Sequence, residues 1–162
     1  MNKRNAMLSA LVSLLVISGC AITPAPMSIA DTTAHTPQLS TLNKLINDAG
    51  LADTLRGAGP YTVFAPSDEA FKAVPAATLD ALAKDKDRLK AVLAYHVVAG
   101  QTMAADVKNG PAKTLQGASV ALSKSGTFVT VEDAVVTQAD VPATNGVVHV
   151  IDRVLMPPAA AK

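Results

Sequence analysis

The sequence predicts an α+β domain, with helices in its first half and strands in its second. Three observations carry this. Apolar residues recur at helical spacing up to about residue 95, with one strand-like interruption at Tyr61 to Ala65. Alternation punctuated by turn signals takes over afterwards, and the order is thus helices first and strands later rather than regular alternation. With 162 residues, 49% of them hydrophobic, the chain has material for one core and one domain.

The elements follow in order. Thr36-Pro37 can cap and open a helix whose apolar positions are Leu39, Leu42, Leu45, Ile46 and Ala49, and Gly50 supplies its stop. Leu51 to Leu55 adds a short turn, and Gly59-Pro60 breaks it. Tyr61-Thr62-Val63-Phe64-Ala65 has strand composition. Ser67 is a good helix cap because Asp68 and Glu69 place negative charge in the first turn, and Pro75 ends that helix. Lys84 to Tyr95 is helical again, with Leu89, Val92 and Leu93 on one face and a solvated run of charges on the other. Strand signals then follow: Val120 and Leu122, Thr127 to Val131 after the Ser125-Gly126 turn, Val135-Val136, and Gly146 to Ile151 after Asn145-Gly146. This order suggests an antiparallel sheet in the second half.

The amino-terminal segment has a different character. Lys3 and Arg4 precede an apolar run from Ala6 to Ile17, which reads as a secretory leader over residues 1–19. The run is shorter than the ~20 residues a membrane span needs. It ends in Ile17-Ser18-Gly19-Cys20, which resembles the lipobox of bacterial lipoproteins, and Cys20 is the chain's one cysteine. Acylation there makes Cys20 the mature terminus and the lipid attachment site, since a thiolate is a good nucleophile toward an activated lipid donor. Ala21, not aspartate, follows; in Gram-negative lipoproteins this implies transfer to the outer membrane. The competing address is ordinary cleavage after Ala30, in Ser28-Ile29-Ala30, which discards Cys20 and leaves a soluble periplasmic or secreted protein beginning at Asp31. Residues 20–36 read as lipidated cysteine and flexible tether, 37–157 as the domain, and 158–162 as a disordered tail.

Composition excludes several function classes. The formal charge is +1 from 14 basic and 13 acidic residues; removing Lys3 and Arg4 with the leader leaves 12 against 13, or −1. A near-neutral surface has no electrostatic hold on a polyphosphate backbone, so no nucleic-acid partner is expected. With a single cysteine no internal disulfide forms. Ser67 lacks the glycine-rich elbow of a nucleophilic serine, and no glycine-rich phosphate loop is present. His96 falls on the stripe of Leu89, Val92 and Leu93, and His149 alternates with Val147 and Ile151, so both imidazoles point inward as structural histidines. A metal or acid–base cluster of His96, His149 and Asp152 is disfavoured, because alternation turns Asp152 away from His149. No metal, no cofactor and no catalytic residue is therefore expected. Tyr95 has two readings, a packed ring with a hydrogen-bonded hydroxyl or an exposed contact residue.

Three segments together resemble the fasciclin domain, an extracellular module. They are Thr62-Val63-Phe64-Ala65-Pro66-Ser67-Asp68-Glu69-Ala70-Phe71, Leu93-Ala94-Tyr95-His96-Val97-Val98-Ala99-Gly100, and Asn145-Gly146-Val147-Val148-His149-Val150-Ile151-Asp152-Arg153-Val154-Leu155. The resemblance implies a wedge or sandwich of about seven strands with several helices packed on it. It also implies cell adhesion or extracellular binding, to an unidentified envelope or matrix protein or, alternatively, to a polysaccharide or small lipid. In animal members the tyrosine-histidine block is tied to integrin binding, which makes Tyr95 and His96 the candidate partner-binding residues. Arg56-Gly57-Ala58 is not the integrin tripeptide Arg-Gly-Asp.

Overall fold

The computed structural model describes residues 27–157, so the leader, Cys20 and the 158–162 tail lie outside the described residues. Six helices are present among these residues: α1 (Ile29–His35), α2 (Ser40–Asp48), α3 (Ala52–Arg56), α4 (Asp68–Ala73), α5 (Ala76–Lys84) and α6 (Lys86–Tyr95). The strands are β1 (Tyr61–Pro66), β2 (Val97–Ala99), β3 (Gly110–Lys113), β4 (Ser119–Ser125), β5 (Phe128–Val131), β6 (Ala134–Ala143) and β7 (Gly146–Ile151). They form one seven-stranded sheet in the order β2-β1-β7-β6-β5-β4-β3. Its two ends nearly meet, because Val98 bridges Thr114 and the Leu115 N–H donates to the Val97 carbonyl at 2.8 Å. The result is a seven-stranded wedge carrying helices, the architecture that the three motif blocks imply.

Local chemistry explains most boundaries. Gly50, at φ +68°, ends α2 with its N–H on the Asn47 carbonyl, and the Leu51 N–H reaches back to Ile46. Ser67 caps α4, its hydroxyl accepting from the Ala70 N–H at 3.3 Å. Asp85 separates α5 from α6 and caps the latter through the Asp87 and Arg88 amides, so the helix expected from Lys84 begins at Lys86. Thr36 makes no capping bond; Pro37–Leu39 is a single 3₁₀ turn. The cap of α2 comes from 27 residues away, where Asp68 accepts from the Thr41 N–H at 2.8 Å and from the Ser40 hydroxyl at 2.7 Å.

One expectation is corrected. The stretch 21–36, read as a tether, contains α1: Ser28 caps this helix, and Ile29 is fully buried because it packs beside the Cβ-less Gly146. The second-half strands β3 to β7 pair antiparallel throughout, as expected, while the first-half strand β1 joins them by pairing with β7 in parallel, from Tyr61↔Gly146 to Pro66↔Ile151. That pairing puts β1 and β7 inside the sheet, second and third from its β2 edge, and both are buried along nearly their whole length. Val63, Ala65, Val148 and Val150 meet the helices through Ile29, Leu42, Ile46, Leu89 and Leu93. Phe64 and Ile151, one residue out of phase, meet Tyr95, Val120, Leu122 and Val131 on the other face.

Candidate functional site

The three motif blocks converge inside the wedge. Tyr95, the last residue of α6, is 3% exposed, and its hydroxyl donates to Glu132 Oε1 at 3.2 Å, with the Ser119 carbonyl at 3.4 Å. Burial, and then the Glu132 carboxylate, push its phenol above the ordinary value. Glu132 Oε1 also accepts from the Ala121 N–H, so one carboxylate ties α6 to β4. His96, the C-cap of α6, is 2% exposed. Its Nδ1 donates to the Val92 carbonyl at 2.7 Å, which leaves Nε2 to accept the Leu155 N–H at 3.0 Å. Burial lowers its pKa to about 4, against a weaker upward pull from the Val92 bond, so the ring stays neutral.

His149 lies on β7, 1% exposed, with Phe64 stacked on it at 5.5 Å between ring centroids. Its Nδ1 accepts the Asp140 N–H at 3.1 Å, so Nε2 carries the proton and donates to the Thr102 carbonyl at 2.9 Å. Asp140 sits in the β6 bulge at φ +56°, and its carboxylate accepts the Ala104 N–H. One imidazole thus fixes both a strained bulge and the 102–104 loop. Asp152 is elsewhere, accepting the Val135 N–H at 2.7 Å. Among the described residues no three His, Cys, Asp or Glu side chains are grouped so that they could hold a metal ion.

Tyr95 and His96, the candidate partner-binding residues, are thus both buried within the folded wedge. The missed residue is Asn145. Its Nδ2 donates to the Leu55 and Gly57 carbonyls at 2.7 and 2.8 Å, and its Oδ1 accepts the Ile29 N–H at 2.9 Å. The Asn-Gly pair signals only a tight turn in sequence; its contacts, some 90 and 116 residues away, leave no local trace.

Concave and exposed features lie outside this frame. Where β1 and β7 end, Gln38, Ser67, Asp68, Glu69, Lys72, Thr137 and Asp152 line an open polar groove of about 680 Å³. Burial alone would raise the Asp68 carboxyl, but hydrogen bonds from Thr41 and Ser40 outweigh it and hold the group below the usual carboxylate range. A narrow apolar crevice among Leu42, Ile46, Leu55, Leu93 and Leu115 measures about 30 Å³, room for a water or two and too little for an acyl chain. At the β4–β5 hairpin tip Phe128 is 69% exposed.

A one-sheet α+β wedge whose signature side chains are spent internally, chiefly on backbone groups, defines a scaffold class. The chain belongs to the fasciclin family, whose domain matches residues 37–157. It is 41% identical to protein sll1483 of a Synechocystis species over 140 residues, covering 85% of this chain and 78% of that one. It is 43% identical to the immunogenic protein MPB70 of Mycobacterium bovis, covering 83% and 70%. It is 42% identical to the cell surface glycolipoprotein MPB83 of the same species, covering 81% and 61%. The fold matches a FAS1 domain pair from the insect cell adhesion molecule fasciclin I, with a TM-score of 0.65 at 19% identity, over 81% of this chain and 51% of that one. Among the described residues no helix is long and apolar enough to cross a membrane.

Proposed function

We propose that this protein is an exported, lipid-anchored binding module without catalytic activity, which engages a protein or polysaccharide of the cell envelope or matrix through its exterior. The observation that carries this reading is the internal use of the motif residues. Tyr95, His96 and His149 spend their polar atoms on backbone groups and one carboxylate, and so serve as struts. Relatives described as a cell surface glycolipoprotein and an immunogenic protein support a surface address.

The groove at the carboxyl ends of β1 and β7 is the concave surface offered to a partner, and Phe128 is the exposed anchor. Aromatic anchors dominate binding energy when a partner buries them. The full-length lipoprotein, incubated with envelope and matrix extracts and crosslinked, should capture a saturable partner. Glu69→Lys or Phe128→Ala should weaken capture at least tenfold without changing the melting temperature, whereas Tyr95→Phe should leave capture intact. No saturable partner, or full capture by both surface variants, contradicts the reading. Anchoring is tested by Cys20→Ala, expected to release the protein or leave its precursor unprocessed.

A polysaccharide partner is favoured by one observation. Phe128 sits opposite Ser125 on the hairpin, with Thr130 opposite Ser123 two pairs along on the same face, so hydroxyls flank an aromatic face of the kind sugars stack on. A glycan array with Phe128→Ala as control separates it from a protein partner.

A further inference from the structure

We propose that α1 belongs to the mature protein, so that leader processing falls before Met27, and that the resulting short tether turns the amino ends of β1 and β7 toward the membrane and the groove at their carboxyl ends away from it. The second half of this proposal rests on the lipid-anchor reading of Cys20; the first does not.

α1 is built into the domain at its first residue. Ile29 is 0% exposed, and its N–H donates to Asn145 Oδ1. A Cβ on Gly146 would stand 2.9 Å from Ile29 Cδ1, so that glycine is what admits the side chain. Two more backbone bonds hold the entry, from the Thr144 N–H to the Met27 carbonyl and from the Thr32 N–H to the Ser28 carbonyl, each at 2.8 Å. Ser28 caps the helix through the Asp31 N–H, and Asp31 pairs with Arg56 of α3 at 3.1 Å. Cleavage between Ala30 and Asp31 would remove Ile29 from the core, strip the helix of its cap and leave Asn145 Oδ1 without its donor. Ser28-Ile29-Ala30 looks like a processing site in sequence only because its burial is decided more than a hundred residues later.

Retaining α1 shortens the tether. Cys20 and Met27 are seven residues apart (27 − 20), a length of chain that spans at most about 25 Å. The chain enters the domain beside Thr144, Asn145 and Tyr61, where β1 and β7 both begin. Both strands run away from that point, and the groove residues Ser67, Asp68, Glu69 and Asp152 follow their far ends. The five residue steps of β1 measure about 17 Å. To press the groove against its own bilayer the tether would have to double back over that length and the side chains beyond it, using up its whole reach. The entry end therefore faces the lipid, and the groove meets whatever approaches from outside.

Three measurements on the full-length protein purified from membranes test this. Intact mass of the mature chain should show acylated Cys20 at the terminus. A terminus at Asp31 overturns the α1 assignment, whereas an unacylated terminus before Met27 upholds it and overturns the anchor reading on which the orientation rests. Amide exchange should be as slow at Ile29 and Thr32 as along β7; exchange within seconds, as in a free tether, refutes the α1 assignment whatever the terminus carries. For orientation, Thr144→Cys and Lys72→Cys lipoproteins are labelled with a fluorophore and reconstituted in phosphatidylcholine vesicles doped with a headgroup nitroxide lipid. Quenching should be at least twofold stronger at position 144 than at 72. Equal or reversed quenching in the acylated protein overturns the orientation alone.

Discussion

At the scale of single residues, the motif side chains work by holding backbone. His96 has a folded pKa of about 4 against 6.5 when unfolded, so between these values the unfolded chain binds a proton that the native ring refuses. Its contribution is fully present above pH 6.5 and is lost as pH falls, the loss reaching about 3 kcal/mol by pH 4. Urea titrations at intervals across that range should show this slope, and His96→Gln, less stable at pH 7, should flatten it. Asn145→Ala should cost about 3 kcal/mol, since it leaves the Leu55 and Gly57 carbonyls and the Ile29 N–H without their partner. Asn145→Asp should not restore stability, because a carboxylate cannot donate to two carbonyls. Gly146→Ala should be at least as damaging, its methyl falling 1.9 Å from the Tyr61 carbonyl oxygen. Thermal melts of the three variants rank them.

At the scale of elements, legibility in the sequence follows how local the determining contact is. α4 was readable because its cap and first-turn charges are its own, and the β4–β5 and β6–β7 hairpins because Ser125-Gly126 and Asn145-Gly146 mark them. α5 escaped notice because Ala76–Lys84 is alanine-rich with Leu82 as its only buried side chain. β3 did so because Gly110-Pro111-Ala112-Lys113 holds no β-branched or aromatic residue and is recruited by β4 alone. α1 carries no amphipathic period, and its burial is set by β7. The inward turn of His96 and His149 was readable from spacing, but their partners on the backbone of Leu155, Asp140 and Thr102 were not. Borrowed caps are equally invisible. Asp68→Ala should free the start of α2 and cost about 1–2 kcal/mol, with faster amide exchange at Thr41 as the specific readout.

At the scale of the whole molecule, the sheet order places the earliest strand, β1, beside the last, β7. Until β7 is in place, β1 has only the three-residue β2 beside it, and both core faces stay open along Val63, Phe64 and Ala65. A chain still emerging from the ribosome, complete only as far as Thr144, therefore has no stable wedge to form. Nascent chains arrested there should be digested by protease as readily as unfolded controls, while chains released after Lys162 become resistant within one folding event. The fold thus withholds closure of the wedge from every shorter chain and hands that step to β7, the last strand to be made.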